Sequence, residues 1–171
     1  RYDGGGLYVR EGNVTVTNTA QIASNTAITG AGGGIYAITS TVVVANSSVN
    51  QNGARKDGGG IAAYRATLFA FNGAAISSNS VITGSGGGIH VQGNAAMLSD
   101  VTLVGNAAKT GGGGAYVNTL TARLMRTSIT ANNGGSGPGG GLFVRADLAE
   151  LNENQIKSNQ TAGFGGGLHI A

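Results

Sequence analysis

Glycine triplets recur along the whole chain, beginning at Gly4, Gly32, Gly58, Gly86, Gly112, Gly139 and Gly165, at spacings of 28, 26, 28, 26, 27 and 26 residues. A second landmark keeps the same phase. An aliphatic-x-x-Asn tetrapeptide ends at Asn25, Asn52, Asn79, Asn106, Asn132 and Asn159. A fixed period of this length marks a repeat architecture, in which each unit buries its apolar face only against its neighbours. Six full units follow one plan, and a seventh begins at Gly165.

Counting from the last glycine of each triplet identifies the unit. The first position reads Leu7, Ile35, Ile61, Ile89, Ala115, Leu142 and Leu168, and the third reads Val9, Ala37, Ala63, Val91, Val117, Val144 and Ile170. Two aliphatic columns separated by a different residue class have the period of a strand. A second alternation follows at the eighth and tenth positions, as in Val14 and Val16 or Val42 and Val44, and the tetrapeptide supplies a third apolar element. No stretch combines helical spacing with start and stop signals.

The expected fold is therefore all-β: a right-handed parallel β-helix of about six coils, each of about 27 residues with three short strands. Residues 1–171 form a single repeat domain, expected to be a segment of a longer repetitive chain because RYDGGG at the start echoes RKDGGG at Arg55. Glycine is reserved for corners that need positive φ or close backbone approach. The asparagines are expected in turns or in a ladder of stacked amides that satisfies buried backbone groups.

Composition removes the competing classes. Among 171 residues there are 33 glycines and one proline, without the every-third-residue spacing of collagen and with too many Ile, Val and Leu for a disordered tract. The net charge of +3 comes from scattered Arg and Lys, so no nucleic-acid partner is expected. No apolar run reaches the length of a membrane span. Cysteine is absent, which excludes disulfides and thiolate metal sites.

Repeated GGGI or GGGL followed by IxxN-type tetrapeptides resembles the polymorphic outer-membrane protein repeats, whose hallmark pair is GGA plus an aliphatic, and FxxN. The resemblance covers nearly the whole chain, with Gly in place of Ala in the triplet and Ile, Val or Leu in place of Phe. It implies the β-helical passenger of an autotransporter, an adhesin on a bacterial surface. The wider pectin-lyase-like β-helix group shares the architecture, and many of its members are polysaccharide lyases or hydrolases.

The acid chemistry argues against such an enzyme. Only seven acids are present, Asp3, Glu11, Asp57, Asp100, Asp147, Glu150 and Glu153, and none forms the paired or calcium-binding carboxylates that glycan cleavage uses. The twelfth position of the unit, Asn18, Asn46, Asn72, Asp100, Arg126 and Glu153, reads as an ion-pair ladder continuing an Asn ladder. His90 and His169 lie several coils apart, so no metal site, cofactor or catalytic residue is expected.

The middle position of the repeated motif carries Tyr8, Tyr36, Ala62, His90, Tyr116, Phe143 and His169. Alternation with the inward aliphatics sends these rings outward in one line, where they stack and offer a ligand-binding stripe of Tyr8, Tyr36, His90, Tyr116, Phe143 and His169. The expected function is a non-catalytic structural or adhesive segment, extracellular or at a cell surface. Its expected partners are glycans or proteins of host or neighbouring cells. The alternatives are a filament subunit associating end to end and a polysaccharide lyase or hydrolase.

Overall fold

A computed structural model describes residues 3–171; Arg1 and Tyr2, the first two residues of the expected repeat domain, lie outside the described residues. The chain winds as a parallel β-solenoid of about six turns with no helix among the described residues. Three sheets run along it, with nine, six and three strands. Each strand pairs in parallel with its counterpart in the next coil, so Leu7 lies beside Ile35, Ile35 beside Ile61, and Ile61 beside Ile89.

The division of a coil among the sheets differs in one respect from the expected three short strands. The first two alternations are separate strands in the first two coils, Leu7–Arg10 and Asn13–Val16, then Ile35–Ile38 and Thr41–Ala45. From the third coil they fuse into single strands of 11 residues: Ile61–Phe71, Ile89–Ser99, Ala115–Met125 and Leu142–Asn152. The second sheet is built from the tetrapeptides, such as Ala75–Ser77 and Thr102–Val104. The third uses the short segments after the asparagines, Thr26–Ala27, Gly53–Ala54 and Ser80–Val81.

One large core fills the interior, and a smaller cluster of Ala27, Ala54, Val81 and Ala108 lies apart from it. Ile35, Ile61, Ile89, Val42, Leu68, Leu124, Ile76, Leu103 and Ile129 are fully buried in the large core, and all come from the aliphatic columns. Stacking like on like at about 4.8 Å per coil lets each column pack as a uniform row.

The asparagines form a ladder. Asn79 Oδ1 accepts from the Asn52 backbone N at 2.9 Å and from Asn52 Nδ2 at 3.0 Å, while Asn79 Nδ2 donates to the Val49 carbonyl at 2.9 Å. The same three bonds recur at Asn106 and Asn132. Each amide therefore joins two coils and closes backbone groups that the corner would otherwise leave bare. The turn itself falls one residue earlier, at Ser24, Gln51, Ser78, Gly105, Ala131 and Ser158, all at φ between 52° and 64°.

The triplet Gly32–Gly33–Gly34 shows why three glycines stand together. Gly32 sits at φ 69°, the left-handed region. Gly33 and Gly34 are there for lack of space: a Cβ on Gly33 would meet the carbonyls of Gly53 and Gly59, and one on Gly34 would lie 2.7 Å from the Gly60 oxygen and 3.0 Å from the Asn52 amide. The triplet and the asparagine ladder are thus two halves of one packed corner.

Candidate functional site

The strand Ile35–Ile38 shows how the ring column arises. Ile35 and Ala37 turn into the core while Tyr36 between them is half-buried. Strand register then places Tyr8, Tyr36, Ala62, His90, Tyr116, Phe143 and His169 side by side in successive coils. Ring centroids are 5.3 Å apart between Tyr8 and Tyr36, 4.9 Å between His90 and Tyr116, 4.5 Å between Tyr116 and Phe143, and 5.5 Å between Phe143 and His169. Every one of these pairs lies within 12° of parallel.

Two features differ from the sequence expectation. Ala62 leaves no break, because the Tyr64 ring swings into the space above it, 5.7 Å from Tyr36 and 5.2 Å from His90, tilted by 45° and 41°. The column is also not an open stripe along its whole length. Tyr8 is 53% exposed, but His90 and Phe143 are 6% and 7% exposed, covered by their stacked neighbours. Tyr36, Tyr116 and His169 are half-buried.

Beside the rings runs a groove of about 920 Å³. Its floor is the next outward column of the same sheet, Ile38, Tyr64, Gln92, Asn118 and Arg145, which strand register aligns one per coil. One wall is the corner before the triplets, with Asp3, Lys56 and Asp57, together with the ring of Tyr36. The other wall follows the floor column and includes Arg65, Leu120 and Asp147. Arg65 is held there at φ 49°, where the strand Ile61–Phe71 irregularly passes its neighbour. Of the expected binding residues, only Tyr36 lines this groove.

Beneath the corner wall lies a polar network that sequence reasoning did not find. Asp57 Oδ2 accepts from the Tyr64 hydroxyl at 2.9 Å, and Oδ1 accepts from the Ser85 backbone N at 2.9 Å and from Ser85 Oγ at 3.3 Å. Ser85 Oγ lies 3.0 Å from His90 Nδ1, and Asp57 Oδ1 lies 3.8 Å from the same nitrogen. Burial, reinforced by the Asp57 charge and its hydrogen bond, pushes the Tyr64 phenol well above its usual range, so it stays a donor. Burial lowers the His90 pKa against the opposing pull of Asp57, so the ring is neutral at pH 7.

Serine, histidine and aspartate in contact raise the question of nucleophilic catalysis. A working triad puts the nucleophile and the orienting acid on opposite ring nitrogens. Here both face Nδ1, and Ser85 and His90 are buried. The geometry fits a brace that fixes Asp57 and Tyr64 in the groove lining. Among the described residues, no group of three or more His, Cys, Asp or Glu side chains is placed to hold a metal ion.

The charged column at the twelfth position has a backbone cause. Asn18, Asn46, Asn72, Asp100, Arg126 and Glu153 all adopt φ between 47° and 58° at one corner, which Asn and Asp tolerate best. Arg126 grips Asp100 through two bonds of 2.7 and 2.8 Å, and this drops the Asp100 pKa to about 2. Among the described residues, no side-chain bond joins Asn18, Asn46 and Asn72, so the amide ladder lies wholly in the buried column.

In comparisons with known proteins, no family model, curated protein or solved structure matches this chain.

Proposed function

We propose that the protein is a non-catalytic adhesive segment, extracellular or at a cell surface, that holds a glycan chain in the groove beside its ring column. The observation that carries this reading is the floor of the groove, where Tyr64, Gln92, Asn118 and Arg145 follow one another coil by coil. A polar channel that follows the coils beside a column of ring edges suits an extended chain of hydroxylated rings. The stacked tyrosines offer apolar ring edges, and the amides bond to hydroxyls. The likeness to polymorphic outer-membrane protein repeats supports the surface placement. The outward positions of the sheet supply the contacts, and the core supplies a rigid frame that loses little freedom on binding.

The test is a glycan panel presented to the purified protein, with Tyr36→Ser and Gln92→Ala as the variants. Binding by the parent protein and its loss, several-fold or more, in both variants is the expected result, with circular dichroism unchanged. Equal binding by parent and variants would place the contact elsewhere on the molecule.

A further inference from the structure

The charges around the groove divide by what they already hold. Asp57 directs both oxygens to Tyr64 and Ser85, and Asp3 Oδ1 accepts from the Ala31 backbone N at 2.9 Å. These two carboxylates serve the scaffold. Lys56, Arg65 and Arg145 have no ion pair or side-chain hydrogen bond among the described residues; outside the groove Arg10, Arg123 and Arg126 each pair with an acid, while Arg55 and Lys109 are likewise unpaired but do not line the channel. Of the groove acids, only Asp147 is likewise without a partner among the described residues.

Position adds to this. Lys56 is on the corner wall and Arg65 on the opposite wall of the same coil, with Tyr64 on the floor between them. Arg145 stands on the floor three coils away, through Gln92 and Asn118, a separation of about 14 Å at roughly 4.8 Å per coil. Free donors at both ends, with neutral amides between, match a chain that carries acid groups at intervals.

We propose that the groove binds an acidic polysaccharide lying along the solenoid axis, with one carboxylate or sulfate group held between Lys56 and Arg65 and another held by Arg145. This rests on the glycan reading of the groove and names its ligand class. Formal charge around the groove is balanced, so recognition depends on short-range pairing at these three side chains and not on long-range attraction.

Calorimetry with polygalacturonate, dextran sulfate and uncharged dextran tests it at low and physiological salt. The expected result is binding of at least one acidic chain, weaker at higher salt, with no binding of dextran. Polygalacturonate alone assigns carboxylate, dextran sulfate alone assigns sulfate, and both together assign either acid group. Lys56→Gln and Arg145→Gln should each raise Kd about tenfold, the factor lost with one good charged contact. Lys157→Gln, the same charge change outside the groove, should leave Kd unaltered. Equal weakening by Lys157→Gln, or tight binding of dextran with no effect of the groove cations, overturns the acidic class. In the dextran case the glycan reading of the groove still stands. Binding of no glycan of any kind removes both.

Discussion

Asn79 is fully buried and polar, and its side chain completes hydrogen bonds that no backbone partner in its own coil supplies. Asn79→Ala would leave the Asn52 backbone N, the Asn52 amide and the Val49 carbonyl without that partner. At about 1–3 kcal/mol for each orphaned buried group, partly relieved by water, the loss should be about 3 kcal/mol, measurable as a lower urea midpoint. His90 acts through titration. Because burial holds its folded value below the ordinary 6.5, the unfolded chain takes up the proton first. Stability should therefore be level near neutral pH and fall as pH drops below about 6.5. His90→Phe, which keeps a ring between Tyr64 and Tyr116, should flatten the decline between pH 6.5 and 5 in thermal melts at a series of pH values.

At the scale of the strand, the ring column was half legible. The alternation Ile-Tyr-Ala-Ile sends Tyr36 outward, and the period aligns it with its counterparts; both are properties of spacing. The role of Tyr64 is not, because its ring reaches back over Ala62 from two positions along the strand, and no periodic pattern records that reach. The fused strands of the later coils were hidden for a similar reason. Residues between the two alternations carry no common apolar signal, and the backbone there varies from coil to coil: Glu11 at φ 55° and Thr39 at φ 52° separate the strands of the first two coils, whereas Arg65 at φ 49° is carried within a fused strand. Tyr64→Ala should break the column in two and leave Asp57 Oδ2 without its donor. Two lost ring contacts and one partly exposed charged bond predict a cost of about 2–3 kcal/mol. Tyr64→Phe should cost about 1 kcal/mol, since only the bond to Asp57 goes. Urea denaturation of the two variants separates the contributions, and equal costs would show that the ring contacts are immaterial.

For the molecule as a whole, the solenoid followed from the glycine and asparagine landmarks because both are fixed by contacts that repeat in every coil. The groove did not, because no repeat sets its charges: Lys56 and Arg65 each occur once in their columns, Asp57 recurs only as Asp3 and Arg145 only as Arg10, and only the stacked coils bring these side chains to one channel. The brace of Asp57, Ser85 and His90 was hidden likewise, since it joins residues of adjacent coils whose sequence separation is 28 and 5. The chain between each ladder asparagine and the following triplet is also irregular: it holds six, five, six, five, six and five residues in turn. Ile28 and Ile82, on two of the longer segments, stand well exposed, so the added residue is accommodated at the surface while the ladder continues undisturbed. The shorter segment between them, residues 53–57, carries Lys56 and Asp57 of the groove wall. Selection is thus free to change the length and side chains of one rim of the channel, Lys56 among them, provided that Asp57 keeps its brace, and a lineage of such proteins could exchange ligands as readily as it kept its shape.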